Sequence, residues 1–288
     1  MVKNILLVVK KSSRPAISGG WRHLLPFMGR PSWVQADMRR QRDARRAHRE
    51  TLAGVERLLR EKQVPYRLVE RTVNLDMAAY DLVISVGGDG TFMEAARCVR
   101  RQLLWGINSD PERSVGSFCS ATRFSFGPML EELLRAQAKV REFQRIQMTL
   151  NGKPFDLLVM NDLLVTHSKP AATSRYWLKI GRRQEDHRSS GLWIATAAGS
   201  TGAIRSAGGK ALPRASKQLQ YRPRELYRRS GLDYRLNGGV VEPRARFEVG
   251  SLMREGLICA DGEHVTVPFR YGDHLAVSLS PYPVRVVV

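Results

Sequence analysis

The chain has 288 residues, 43% of them hydrophobic, with 47 Lys+Arg against 27 Asp+Glu and a formal net charge of +20. That is enough apolar material for a real core, and it excludes a disordered tail protein or a membrane-spanning chain, since no apolar run approaches the roughly 18 residues a span needs. Three cysteines and six histidines, without CxxC or other metal-ligand spacing, argue against a disulfide framework and a metal site; a reducing, cytoplasmic setting is expected. The positive charge favours polyanions without choosing among nucleic acids, anionic membranes and nucleotide phosphates.

In chain order, VKNILLVV (2–9) reads as a buried first strand rather than a signal peptide. A loop with Gly19, Gly20, Pro26 and Pro31 follows. A basic helix is expected over about residues 37–62, where RRQRDARRAHRE precedes Leu52, Val55, Leu58 and Leu59 at helical spacing. Its arginines read either as a solvated helix face or as a polyanion-facing patch. PYRLVE (65–70) and DLVISV (81–86) are strands, 91–101 a helix, and LLWGIN (103–108) a strand. Strands alternating with helices predict a parallel sheet covered by helices.

Near residue 115 the pattern changes. A helix is expected over about 128–140, and strand then follows strand. FQRIQMTL and PFDLLVM flank an Asn-Gly hairpin turn. SRYWLKIG, SGLWIATA, ARFEVGS, EGLICA, HVTVPF and HLAVSL are strand-like, with an Asp-Gly turn in ADGEH. Residues 208–239 read as a loop with short helical pieces. The predicted architecture is an α/β domain over 1–115 and a mostly β, antiparallel, sandwich-like domain over 116–288. The last segment is a candidate for returning to the first domain.

The stretch SVGGDGTF (85–92) lies at the carboxyl end of a buried strand, where open α/β sheets bind ligands. Glycines admit a phosphate close to backbone N–H groups, and a helix N-terminus adds a favourable dipole. Asp89 would repel a phosphate, so it points to a hydroxyl or a metal ion, and hence to phosphoryl transfer onto a hydroxyl. Equally open is a turn in which Asp89 caps the next helix. The loop is neither a Walker A loop nor GxGxxG.

GGDGT (87–91), GINSDP (106–111), MNDLLV (160–165) and SSGLWIATAAGSTGAIRSAGG (189–209) together resemble the NAD kinase family in order and spacing. The resemblance implies transfer of the γ-phosphoryl of ATP, or of polyphosphate, to the adenosine ribose 2′-hydroxyl of NAD or NADH, with Mg²⁺ accompanying ATP. It implies that Asp89 orients that hydroxyl and takes its proton. Gly87, Gly88, Gly90 and Thr91 would cradle phosphates, and Asn108 lies in the next strand-end segment. Asn161 and Asp162 would hold the adenosine portion, their alternative being an Asx turn. Thr196, Gly199, Ser200, Thr201, Gly202 and Ser206 would form a second small-residue wall, their alternative being a plain turn. No metal-binding side chain is assigned. Family members are commonly homo-oligomers; no membrane or nucleic-acid partner is expected.

Two departures bear on the nicotinamide. Ser190-Gly191-Leu192 stands where many members have Asp-Gly-Leu, and Thr196–Ala203 lacks the family tyrosine. Both forms look like the short plant-type NADH kinase branch. Two alternatives remain: a lipid kinase of the diacylglycerol or sphingosine type, which shares GGDGT, or a nucleic-acid-binding protein on an inactive kinase fold.

Overall fold

The computed structural model describes residues 3–10, 31–71, 76–227, 233–242, 244–263 and 265–288. The expected loop glycines Gly19 and Gly20 and Pro26 lie outside the described residues, as do parts of 208–239. The chain divides into two compact units, 1–140 with 286–288, and 141–285. The division falls beyond the change of pattern near residue 115, because the helix following that change packs into the first unit's core.

The first unit begins with β1 (Ile5–Val9), every residue of which is buried. Helix α1 (Ser32–Glu61) is longer than expected, and it buries Thr51, Val55 and Leu59 while Arg39, Arg40, Arg42, Arg46 and Arg49 stay exposed. It stops at Lys62 because Gln63 turns to φ 54°. Then come β2 (Tyr66–Glu70), β3 (Leu82–Gly87), α2 (Asp89–Cys98), β4 (Leu103–Asn108), the short β5 (Ala121–Thr122) and α3 (Phe126–Leu134). Strands β2, β1, β3 and β4 lie side by side, all parallel. Continuous apolar runs are what a sheet covered on both faces requires. Trp105 of β4 is fully buried against Phe126 of α3, with ring centroids 4.9 Å apart. Helix α3 ends well short of residue 140, since Ala136 adopts φ 58° and the chain turns into β6 (Val140–Phe143).

The second unit holds two six-stranded antiparallel sheets. One runs β11 (Arg183–Ser189), β10 (Ser174–Ile180), β15 (Phe247–Ser251), β18 (His274–Leu279), β7 (Ile146–Leu150), β8 (Lys153–Val159). The other runs β14 (Gly239–Val241), β13 (Leu219–Arg224), β12 (Gly191–Thr196), β9 (Asp162–His167), β16 (Gly256–Ala260), β17 (Val265–Pro268). Tyr176, Leu178 and Val249 of the first sheet and Val165, Ile194 and Ile258 of the second form one buried cluster, so the two sheets make a sandwich. The Asn-Gly hairpin joins β7 to β8 with Asn151 at φ 52° and Gly152 at φ 76°. The last strand, β19 (Val284–Val287), stands next to β4 in the first sheet order, and residues 286–288 belong to the first unit.

Among the strands that escape the sequence pattern are β11 and β13. β11 reads RQEDHRS and buries only His187 and Ser189. β13 lies inside the stretch expected to be a loop. Its Pro223 pairs with Leu192 of β12, beyond the residues that pair with β14, so no neighbour needs the missing N–H. Ile194 is fully buried in the sandwich. Ile194→Ala is expected to destabilise the protein by about 2–5 kcal/mol, read as a lower midpoint of denaturant unfolding.

Candidate active site

In the first unit the loops of interest leave the carboxyl ends of parallel strands. β3 ends at Gly87, Gly88 is extended at φ −113°, and α2 begins at Asp89. The glycines are needed here for space rather than for left-handed backbone. A Cβ on Gly87 would run into the Thr91 side chain, and one on Gly88 would lie 2.8 Å from the Ser114 hydroxyl. Gly90 is exposed, and the Arg71 guanidinium stands 3.5 Å from where its side chain would begin. Arg71 also pairs with Glu94 at 3.4 Å.

Asp89 does not cap α2. The N-cap Gly88 makes no side-chain cap, and since the Thr91 N–H donates to the Gly88 carbonyl at 3.1 Å, it is the N–H groups of Asp89 and Gly90 that can meet an anion. Instead the carboxylate accepts from the backbone N–H of Ser117 to Oδ2 at 2.9 Å and of Phe118 to Oδ1 at 2.8 Å. Asn108 is buried, and both ends of its amide serve the following turn. Nδ2 donates to the Ser114 carbonyl at 2.8 Å, and Oδ1 accepts from the Asp110 N–H at 3.1 Å. Thr91 is buried over Gly87.

In the second unit the motif residues converge around the start of β9. Asn161 Nδ2 donates to Asp162 Oδ2 at 3.0 Å. Thr196, at the end of β12, donates its hydroxyl to the Met160 carbonyl at 2.6 Å and accepts from the Gly199 N–H at 3.0 Å. Gly199 packs so tightly on the Asn161 backbone that any side chain there would collide with the Asn161 carbonyl. Ala198–Thr201 form a 3-10 turn, followed by the short helix α4 (Ala203–Ser206). Ser200 is buried and accepts from the Leu212 N–H at 2.8 Å. Thr201 and Ser206 are exposed and Gly202 is half-buried, 3.2 Å separating its notional Cβ from Asn161 Nδ2. Ser190 lines a cleft of about 290 Å³ with Thr173, Arg188, Glu225 and Tyr227.

Sequence reading missed Asp261. It was legible only as the first residue of an Asp-Gly turn. Its buried carboxylate accepts from the N–H of Asn161 at 2.6 Å and of Met160 at 3.1 Å, while its own N–H donates to the Asp162 carbonyl at 2.9 Å. The Ser117 and Phe118 donors were missed as well, because backbone groups carry no sequence signal.

Burial, and then the negative charge of Asp261, push the Asp162 acid from an ordinary 3.8 up to about 7. Between those values the folded chain binds more protons than the unfolded one, so this group's contribution to stability falls as pH rises from about 4 to about 7. Asp162→Asn is therefore expected to raise Tm more at pH 8 than at pH 5. Equal shifts at both values would disprove the raised acid.

No family model matches the chain. It is 34% identical to the "Probable NADH kinase" of Oryza sativa subsp. japonica, the match covering 85% of this chain and 82% of that one. It is 30% identical to the "NADH kinase" of Arabidopsis thaliana, covering 81% of each. Among solved structures, an NAD kinase from Archaeoglobus fulgidus in complex with ATP shares the fold, with TM-score 0.71, 22% identity, and coverage of 99% of this chain and 93% of that one.

Proposed function

The chain belongs to the NAD kinase family, and from that premise we propose that it transfers the γ-phosphoryl group of ATP to the adenosine ribose 2′-hydroxyl of NAD or NADH, giving NADP or NADPH. Family membership displaces the lipid-kinase reading. The observation that carries the assignment of roles is the Asp89 carboxylate, held by two backbone N–H groups beside an uncapped helix N-terminus. A carboxylate so fixed can align a hydroxyl and accept its proton as the oxygen–phosphorus bond forms and the bond to the ADP oxygen breaks. The first turn of α2 and the neighbouring Arg71 offer the positive potential that phosphates require. Asn161 and Asp162 take the adenosine portion, with Thr201, Gly202 and Ser206 as the accessible part of the small-residue wall. Asn108 and Thr196 act behind them by shaping the loops, as their internal hydrogen bonds suggest.

Magnesium enters as part of the substrate, the Mg–ATP complex, since Mg²⁺ is usually held by few carboxylates together with substrate phosphates. Among the described residues no group of three His, Cys, Asp or Glu is arranged to hold a metal ion. Among the described residues no helix is long and apolar enough to cross a membrane. The three cysteines are free thiols; a cytoplasmic location is part of the proposal. A homo-oligomer and an ATP rather than polyphosphate donor belong to the same proposal.

The direct test supplies purified protein with ATP, Mg²⁺ and either NAD or NADH, and measures NADP or NADPH. Asp89→Asn is expected to lower kcat at least about 100-fold. Asparagine keeps only one acceptor for two donors, so a stability loss of about 1–3 kcal/mol is also expected, and Tm must show the variant folded at the assay temperature. A folded variant with near-normal kcat would exclude Asp89 as the base.

For the acceptor we propose NADH over NAD, because Ser190 brings no charge to favour a cationic oxidised ring. Ser190→Asp is expected to raise the NAD/NADH ratio of kcat/KM several-fold, as an added anion favours the cation. An unchanged ratio would remove Ser190 from acceptor discrimination.

A further inference from the structure

The turn from β16 to β17 poses a physical problem. Asp261 sits at φ 49° and Gly262 at φ 100°, a geometry that Asn-Gly makes as readily as Asp-Gly. The same chain uses Asn-Gly for the turn at 151–152, with φ 52° and 76°. A neutral residue would therefore build the turn. Asp261, a residue only 4% exposed, instead brings a carboxylate whose charge acts on the carboxyl of Asp162, a residue 3% exposed. Two buried carboxyls close together oppose folding, because each disfavours the charge of the other. An unfavourable local choice of this kind belongs where function needs it.

What the charge does is visible in its partners. Both oxygens accept from backbone N–H groups, those of Asn161 and Met160. From the opposite flank, Thr196 holds the Met160 carbonyl and its backbone N–H donates to the Asn161 carbonyl at 3.0 Å. The segment entering β9 is thus gripped from β12 and from the turn after β16. Among the described residues, the groups facing Asp162 are Asp261 from that turn and the Asn161 amide beside it. Gly202, from the segment after β12, brings no side chain.

We propose that Asp261 is a positioning residue for the dinucleotide: its carboxylate fixes the backbone of Met160 and Asn161, and so aims the Asn161 amide and the Asp162 carboxyl at the hydroxyl and base edges they bind. This rests on the reading that Asn161 and Asp162 hold the dinucleotide. Its charge also keeps a proton on Asp162 to higher pH, so that Asp162 donates a hydrogen bond below neutrality and only accepts above it.

The test compares wild type with Asp261→Asn, Asn161→Ala and Asp162→Asn. It reads kcat, KM for dinucleotide and for ATP, dinucleotide binding by calorimetry, and the pH dependence of dinucleotide KM. Asp261→Asn is expected to raise dinucleotide KM about ten-fold, the equivalent of one good hydrogen bond, while ATP KM stays near wild type. Its inflection in the pH profile is expected to move to lower pH, a change that a merely structural role would not produce. Wild-type dinucleotide KM and an unmoved inflection would overturn the proposal. So would a parallel loss of ATP affinity, dinucleotide affinity and Tm, which would mark Asp261 as a folding residue. Wild-type dinucleotide binding in both Asn161→Ala and Asp162→Asn would instead remove the reading on which it rests.

Discussion

The pair of backbone N–H groups that closes on the Asp89 carboxylate ties together the two loops that leave neighbouring strands of the parallel sheet. One loop follows β3 and opens α2. The other follows β4 and carries Ser114 to Phe118. A carboxylate at the first position of a helix ordinarily satisfies that helix's own N–H groups. Here it is spent across the gap, so the helix end stays open and the carboxylate has one orientation. The glycines follow from the same closeness. Thr91 lies over Gly87 and Ser114 over Gly88 at distances that leave no room for a side chain. The phosphate-binding character proposed for the turn would thus be a by-product of packing two loops tightly at one sheet edge.

The sandwich unit solves a similar problem differently. Its hydrophobic cluster supplies the stability, each fully buried aliphatic side chain contributing about 1.5–3 kcal/mol. Against that background the unit carries an unfavourable feature, the Asp162 acid raised to about 7 next to Asp261. The hydrogen bonds from Met160 and Asn161 offset part of this. Both units therefore orient a short motif by gripping main chain, through Ser117 and Phe118 in one and through Met160 and Asn161 in the other. Grip on main chain is stiffer than grip on side chains, because the peptide plane leaves only two soft dihedrals per residue.

Elements with strong local patterns were legible. β1 is an unbroken apolar run, and β3 and β4 are interrupted only by Ser85 and by Asn108 at the end, the mark of strands buried on both faces. The β7–β8 hairpin is written in Asn151-Gly152. β11 was not legible, since an edge strand needs to bury only one face over a short span, and here only His187 and Ser189 do so. β13 was hidden by its charges and Pro223, which is tolerated only because β14 is too short to reach it. The early end of α3 depends on Ala136 taking φ 58°, a conformation that alanine does not advertise.

The sequence by itself determined the order of domains, the turn chemistry and the candidate residues for the site, because these are local and periodic properties. It named Asp89, Asn161 and Asp162, but not what each is bonded to. Only the tertiary structure decided that Asp89 faces across to residues 28 and 29 positions away rather than onto its own helix. Only it decided that a turn 100 residues downstream sets the backbone of Asn161. The physical reason is that a hydrogen bond from a backbone N–H is indifferent to side-chain identity, so the donors that orient these carboxylates leave no trace in the letters. They exist only once distant strands have paired and brought the peptide groups into range.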